Sequence, residues 1–292
     1  MELTNQPWEH RWKALAESLQ SELNINFEAE IKDVTAESLG DAVREVVNSK
    51  ADVCRISDNF NSFALPELVQ TTQEALTAGV CPLLIREKGQ WWPRPLMEEA
   101  FKTCLTENFA QLDIASNALI AGSGPAGRQV IAAISKIGYS VINITDQDIQ
   151  SSQKLVDAMK KRFFQIKFKV IPFQEITTLP GVHSLVVNTT PLILENELLD
   201  ELYFFNFLKS QGAVVDLTLV PSHTPLMLEA EQWGARHLSG DFVAADCDVY
   251  MIEKLTGKKI SKSKYREALR KNVDAAPFDA GPFLNRFRER GS

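Results

Sequence analysis

The chain has 292 residues, 45% hydrophobic and 24% charged, a composition typical of soluble globular proteins and a length sufficient for two modest domains. Acidic residues outnumber basic ones by 38 to 31, and the net charge of −7 argues against nucleic acid as the main partner, because that binding needs a basic face. No apolar run approaches the roughly 20 residues of a membrane span, and the first residues show no signal-peptide pattern. We therefore expect a cytoplasmic protein with no membrane partner.

The first domain predicted from the sequence is a small α/β domain over residues 1–101. Apolar spacing and turn residues predict, in chain order, a helix over 8–23, a strand over 24–31, a helix over 35–50 with Thr35 as its N-cap, a strand over 52–57, a helix over 65–79 closed by Gly79, and a hairpin over 81–93 that turns at Lys88-Gly89.

From residue 95 onward, strands and helices alternate regularly. Helices are predicted over 95–109, 126–138, 151–163, 199–210 and 226–234, and strands over 117–122, 140–145, 165–173, 184–190, 213–219 and 235–240. Such alternation indicates a parallel sheet with right-handed crossovers, that is, a doubly wound Rossmann domain over 102–239. Two further helices, over 243–259 and 262–272, and a tail make up a C-terminal part over 240–292.

Cysteines and histidines do not suggest a metal site or a disulfide framework. The four cysteines include no C-x-x-C pair, and the four histidines lack metal-ligand spacing. We expect reduced thiols and no metal.

A glycine-rich turn follows the predicted strand 117–122 and opens the next helix. In the spacing G-x-G-x-x-G, Gly122 permits a tight turn, Gly124 lets the backbone approach a pyrophosphate, and Gly127 lets the helix pack on the strand. Asp146 lies 19 residues after Gly127, where a carboxylate can bind both ribose hydroxyls of NAD and repel the 2′-phosphate of NADP. We predict binding of NAD, with NADP less favoured, by Gly122, Ser123, Gly124, Pro125, Ala126, Gly127, Thr145 and Asp146. The alternative is a purely structural turn.

A polar segment, Asn188-Thr189-Thr190, ends another predicted strand of the same sheet. Ligands of open α/β sheets bind outside the carboxyl ends of the strands. These three residues are therefore candidates for contact with the nicotinamide ribose, the alternative being an ordinary polar turn before Pro191.

Several segments, taken in order, resemble the shikimate/quinate dehydrogenase family over nearly the whole chain. They are PWEH at 7–10, the segment and hairpin at 78–92, the glycine loop at 122–128, DLTLVPSHTPLMLEA at 216–230 (family pattern D-x-x-Y-x-P…T-P-L-L…A) and MIEKLTGKK at 251–259. The resemblance implies an oxidoreductase in which an N-terminal α/β domain holds a hydroxy acid. A Rossmann domain would hold a nicotinamide cofactor, and a C-terminal helix would cross back to the first domain.

The resemblance also assigns family positions, and several of them are changed. The catalytic lysine and aspartate fall on Asn61 and Met97, neither of which can exchange protons, and the substrate asparagine falls on Pro82. Other substrate positions fall on Thr4, Gln6, Ser57 and Cys247. We therefore do not expect ordinary shikimate oxidation. The strand that usually precedes the first substrate loop is also expected to be missing.

Other polar residues map near the same substrate positions. Arg55 and Arg94 are candidates for holding a substrate carboxylate, and Asp58 or His10 for serving as a base. The alternative is that Arg94 only ends a hairpin and Asp58 only starts a turn.

Three hypotheses follow. The first is an NAD-linked oxidoreductase of this family, monomeric or homodimeric, acting on a small hydroxy acid with altered substrate or weak activity. The second is a non-catalytic nucleotide-binding homologue, a pseudoenzyme. The third is a conventional shikimate dehydrogenase of aromatic amino acid biosynthesis.

Overall fold

The computed structural model describes residues 1–4, 20, 28, 30–57, 64, 68, 70–192 and 196–274. The chain divides into two compact units, one comprising Met1–Ala100 with Ala245–Asn272, the other comprising Phe101–Ala244 with, among the described residues, Val273 and Asp274. The predicted fold class, a Rossmann sheet with a smaller N-terminal α/β part, is confirmed. The predicted helix 8–23, apart from residue 20, and most of the predicted strand 24–31 lie outside the described residues.

The N-terminal part of the chain forms a five-stranded mixed sheet with the order β2-β1-β3-β4-β5. Strand β1 pairs in parallel with β2 and β3, whereas β3, β4 and β5 are successively antiparallel. The elements are β1 (Glu2–Thr4), β2 (Ile31–Asp33), α1 (Leu39–Asn48), β3 (Val53–Ile56), α2 (Gln73–Ala78), β4 (Leu83–Glu87), β5 (Gln90–Pro93) and α3 (Leu96–Asn108).

One face of this sheet packs on α1. Leu3 pairs with Ile56, and Cys54 pairs with Leu84, so alternation along each strand places all four on the same face. They share a buried apolar cluster with the inward-facing residues of α1, among them Val43.

Three local predictions in this part need correction. A first strand is present, because β1 pairs with β3 and the Met1 ammonium donates to the Val53 carbonyl. The helix predicted to start at Thr35 begins at Leu39, since Thr35 and Ser38 exchange side-chain and backbone hydrogen bonds in the preceding turn. The helix predicted over 65–79 is described only as Gln73–Ala78, capped by Thr72, with Gly79 at φ 68° as predicted.

The second unit contains a six-stranded, fully parallel sheet with the order β11-β10-β9-β6-β7-β8. Its strands are β6 (Asn117–Ala121), β7 (Val141–Thr145), β8 (Lys167–Val170), β9 (His183–Asn188), β10 (Leu208–Asp216) and β11 (Arg236–Leu238). Its helices are α4 (Pro125–Ile137), α5 (Ile149–Arg162), α6 (Glu197–Leu202) and α7 (Pro225–Gln232), with a 3₁₀ helix at Phe173–Thr178. The strand order reverses between β6 and β9, which is where ligands of such sheets bind.

The helix predicted over 199–210 is too long. Helix α6 ends at Leu202, and β10 begins at Leu208. Phe205 adopts a φ of 50°, outside the helical region, and Phe205 and Phe207 are both fully buried in the same core cluster. Burial of two aromatic rings two positions apart outweighs the local helical pattern.

Two long helices follow the Rossmann sheet, α8 (Gly240–Thr256) and α9 (Lys262–Asp274), as the sequence predicts within a few residues. Tyr265 on α9 donates to the buried carboxylate of Asp248 on α8, and Arg266 bonds Asp246, also on α8. Within the described ranges, no helix has the length and apolar character needed to cross a membrane.

Candidate nucleotide-binding site

The glycine loop leaves the carboxyl end of β6 in a conformation that glycine favours. Gly122 has a φ of 105°, and its N–H donates to the carbonyl of Thr145 at the end of β7, 2.8 Å away. A Cβ on Gly122 would lie 2.3 Å from the Thr189 hydroxyl oxygen. The first glycine therefore makes possible both the turn and the close approach of the loop that follows β9.

The other two glycines of the motif have different surroundings. A Cβ on Gly127 would lie 2.2 Å from the Gly122 carbonyl oxygen, so this glycine lets α4 pack directly on the loop. A Cβ on Gly124 would meet no atom within 4 Å, and the φ of −69° at this position is accessible to any residue. The space over Gly124 is the room that a pyrophosphate needs to approach the backbone.

The first turn of α4 adds the electrostatic conditions for a phosphate. Pro125 stands at the first helical position, where its missing N–H is not needed, and Ala126 and Gly127 follow. Amides in a first turn lack intrahelical acceptors and stand at the positive end of the helix dipole. Arg128 is half-buried in the same turn, and burial lowers the pKa of its guanidinium. These groups fit an anionic ligand.

Asp146 lies immediately after β7 and is hydrogen-bonded to the glycine loop. Its Oδ2 accepts hydrogen bonds from both the N–H and the hydroxyl of Ser123, each at 2.7 Å. Its Oδ1 accepts a bond from the N–H of Asp148 at 3.1 Å. Asp146 is only partly buried, so a ligand can reach it. Neighbouring Thr145 is fully buried, and its carbonyl holds Gly122.

The loop after β9 is bound to its neighbours by its own polar side chains. The Asn188 amide donates to Asp216 Oδ1 at 2.9 Å, and its carbonyl oxygen accepts from the N–H and hydroxyl of Thr190. Thr189 donates its hydroxyl to the Ala121 carbonyl. Thr189 and Thr190 lie against Gly122, so the two loops meet, and the side chains of all three residues chiefly fix the loop after β9. Their contact with a nicotinamide ribose stays a prediction.

Asp216, at the end of β10, was not singled out as a site residue from the sequence. Burial raises the pKa of this carboxyl, although Thr224 donates to it at 2.6 Å and Asn188 and the Thr218 N–H also bond it. The signal was present in the family-like segment 216–230. In the same segment, Leu219 stands at the family's tyrosine position.

The predicted substrate positions fall in the first unit. Thr4 ends β1, and the N–H of Ser57 donates to the Leu3 carbonyl just past the end of β3, so both buried residues lie at one edge of the sheet. Arg55 and Pro82 are also buried and lie near these two residues. Arg55 lies in β3, two residues before Ser57, and Pro82 immediately precedes β4, which pairs with β3.

Other predicted positions have different outcomes. Met97 is half-buried in the first turn of α3, and Cys247 is fully buried in α8. The guanidinium of Arg94 bonds both carboxylate oxygens of Glu87 at 2.7 Å, which favours the hairpin role over substrate binding. The remaining positions lie outside the described residues: Gln6, His10, Asp58 and Asn61.

Metal chemistry finds no support in the described part of the chain, where no group of three or more His, Cys, Asp or Glu side chains is placed to hold an ion.

Comparisons with known proteins give the relationship of the whole chain. No family model matches it. The shikimate dehydrogenase (NADP(+)) of Shouchella clausii (strain KSM-K16) is 22% identical over 242 residues, covering 82% of this chain and 86% of that protein. The fold is similar to that of shikimate 5-dehydrogenase from Thermus thermophilus in complex with NADP(H) and shikimate, with a TM-score of 0.73, 21% identity and coverage of 93% and 98% of the two chains.

Quinate dehydrogenase from Corynebacterium glutamicum in complex with NAD is also similar in fold, with a TM-score of 0.76 and 16% identity over 92% of this chain and 98% of that one. Sequence similarity to a curated shikimate dehydrogenase extends over most of both chains, and the fold extends over nearly all of them. The chain is therefore similar in sequence to shikimate dehydrogenases and shares the fold of the solved shikimate and quinate dehydrogenases.

Proposed function

We propose that the chain is an NAD-linked oxidoreductase acting on a small hydroxy acid, with a substrate or catalytic groups that differ from those of the shikimate dehydrogenases. The observation that carries this proposal is the hydrogen-bonded pairing of the glycine loop with Asp146, through the N–H and hydroxyl of Ser123. A merely structural turn would not need open space over Gly124 and a carboxylate fixed beside it.

The residues present fit a dinucleotide with a nicotinamide group. The N-terminus of α4 would hold the pyrophosphate over Gly124, and Asp146 would accept hydrogen bonds from the adenosine ribose. When bound, the nicotinamide supplies hydride transfer. Support for such a cofactor comes from the relatives, since one similar structure holds NADP(H) and another holds NAD.

Preference for NAD over NADP rests on charge. The 2′-phosphate of NADP would approach a carboxylate of like charge at Asp146, and doubly wound folds that accept NADP instead place an arginine in this region. The curated relative carries NADP(+) in its name, so the preference for NAD proposed here would distinguish this chain from that relative.

The assignment of the family's catalytic lysine and aspartate positions to Asn61 and Met97 supports altered chemistry. A methionine at position 97 offers no proton to exchange with a hydroxyl being oxidised, and a single acid–base group typically contributes about 10² to 10⁴ in rate. This replacement equally favours the second hypothesis, a homologue that binds the nucleotide without turnover. The third, a conventional shikimate dehydrogenase, requires that other residues than Asn61 and Met97 hold the catalytic positions.

Titration of the full-length protein with NAD and with NADP, followed by tryptophan fluorescence, tests the binding. We expect NAD to bind more tightly than NADP. Asp146→Asn should narrow the difference, whereas Asp157→Asn, which removes a charge from the exposed side of α5, should leave both affinities unchanged. Tighter binding of NADP than of NAD by the unsubstituted protein would contradict the cofactor assignment. If neither nucleotide binds at millimolar concentration, the glycine loop is only a structural turn.

A second experiment separates an enzyme from a binder. A panel of small hydroxy acids is offered with NAD, and formation of the reduced cofactor is followed by its absorbance. Turnover of one of them supports the oxidoreductase. Binding of NAD without turnover of any hydroxy acid supports the non-catalytic homologue. Shikimate turnover at ordinary enzyme rates would favour the conventional dehydrogenase.

A further inference from the structure

The Asp146 carboxylate accepts hydrogen bonds from three donors in the two loops beside it. Ser123 directs its N–H and its hydroxyl to the same carboxylate oxygen, Oδ2, and the N–H of Asp148 is directed to Oδ1. The Asp148 side chain is itself engaged, because it accepts from the Gln150 N–H and the Ser151 hydroxyl as the N-cap of α5. Two oxygen atoms can still accept hydrogen bonds from a ligand, Oδ1 of Asp146 and the hydroxyl oxygen of Ser123.

We propose that Ser123 is a specificity-determining residue, which positions Asp146 and makes this corner of the site an acceptor-only subsite for a ribose with both hydroxyls free. The proposal rests on the function proposed above and deepens it. Two adjacent ribose hydroxyls are donors, so they match two acceptors. A 2′-phosphate is an anionic acceptor, and it would meet a carboxylate whose neighbouring donors are already engaged.

The place of Ser123 in the loop explains why its hydroxyl acts on Asp146. It lies between Gly122, whose φ of 105° sets the turn, and Gly124, the N-cap position of α4. Ser123 as a whole is 7% exposed. A hydroxyl at this position is free in principle to serve a phosphate as a donor, but its 2.7 Å bond to Oδ2 commits that proton to Asp146. With two donors on one oxygen, the carboxylate has little freedom to rotate.

The test compares Ser123→Ala with Ser135→Ala in the full-length protein. Both remove one hydroxyl, but Ser135 donates only to the Ile131 carbonyl, one turn earlier in α4. Affinities for NAD and NADP are measured by tryptophan fluorescence. A hydrogen bond to a charged group is worth about a factor of 10 or more. We expect Ser123→Ala to lower the affinity for NAD about tenfold and to change the affinity for NADP by no more than about twofold. Ser135→Ala should change neither affinity.

Two further variants test whether Ser123 acts through Asp146. In an Asp146→Ala background, Ser123→Ala should have no additional effect on NAD affinity, because its partner is gone. Ser123→Thr retains the hydroxyl and should retain the preference for NAD. The thermal midpoints of all variants are compared, so that a folding defect is recognised as such.

The outcomes distinguish a failure of the role of Ser123 from a failure of the proposed function. An equal loss of NAD and NADP affinity in Ser123→Ala, or a loss that persists in the Asp146→Ala background, would overturn the role of Ser123 while NAD binding itself stands. If the unsubstituted protein binds no nucleotide at millimolar concentration, the proposed function fails, and the role of Ser123 fails with it.

Discussion

Gly124 and Gly127 belong to one motif, yet alanine at these two positions should have opposite effects on the stability of the fold. At Gly127 a Cβ would lie 2.2 Å from the Gly122 carbonyl oxygen, whereas real contacts of this kind stay beyond 3.0 Å. The start of α4 would have to move away from the loop. Overpacking costs about 1–3 kcal/mol, and because the clash is with backbone, we take the upper end. The better helix propensity of alanine offsets up to about 1 kcal/mol, which leaves a loss of about 2 kcal/mol.

At Gly124 the same substitution meets no atom within 4 Å, and a φ of −69° suits alanine. Reduced freedom of the unfolded chain should even stabilise this variant, by about 0.4–1 kcal/mol. The added methyl group occupies the space through which a pyrophosphate approaches the backbone. We therefore expect Gly124→Ala to fold normally and to bind NAD at least tenfold more weakly, a loss of about 1.4 kcal/mol.

Thermal unfolding and NAD titration of both variants form the assay. A loss of about 2 kcal/mol should lower the melting temperature of Gly127→Ala by about 4–8 °C. Gly124→Ala should melt at or slightly above the temperature of the unsubstituted protein. An unchanged melting temperature for Gly127→Ala would refute the packing argument, and unimpaired NAD affinity of Gly124→Ala would refute the assignment of the phosphate site.

Three more predictions concern other parts of the chain. Burial lowers the pKa of His183, whose ring is hydrogen-bonded to Asn143 and to the Phe207 carbonyl. The contribution of His183 to the free energy of unfolding should therefore be complete above the pKa of the unfolded state, about 6.5, and be lost as the pH falls through the pKa of the folded state. Urea unfolding between neutral and mildly acidic pH should show this loss, and a His183→Gln variant that retains the full acid dependence would contradict it. Asp216→Ala leaves two buried donors, the Asn188 amide and the Thr224 hydroxyl, and the partly buried Thr218 N–H without their acceptor, and should destabilise the second unit by about 1–3 kcal/mol; an unmoved urea midpoint would show that the network is dispensable. Asn61→Lys and Met97→Asp together place lysine and aspartate at the positions proposed for the catalytic pair. The double variant should raise shikimate-dependent reduction of NAD at least tenfold, about 1.4 kcal/mol of barrier, and no gain in a folded variant would mean that these positions are wrongly assigned.

Local pattern predicted the parts of this protein that depend on neighbouring residues. The alternation of strands and helices after residue 95 predicted the parallel sheet, and the hairpin turning at Lys88-Gly89 is found with both residues at positive φ. The spacing of the glycine motif predicted the turn at Gly122 and the close packing at Gly127, because a turn and a helix start are fixed within a few residues.

Contacts between distant segments were decided by the tertiary structure. The sequence placed Asp146 near the loop, but the bond from Ser123, 23 positions away, exists only because β6 and β7 are adjacent and end at the same edge. The bond between Asn188 and Asp216, 28 positions apart, depends in the same way on the pairing of β9 with β10.

The sequence by itself determined the fold class, the glycine loop and the presence of a carboxylate after the second Rossmann strand, since periodicity and short spacings encode these directly. Only the tertiary structure decided that Ser123 commits its donors to Asp146, that Arg94 is held by Glu87, and that α6 stops at Leu202. The physical reason is common to all three. Hydrogen-bond partners and burial are chosen among groups brought together by the sheet and its core, and a local pattern carries no information about which of them will meet.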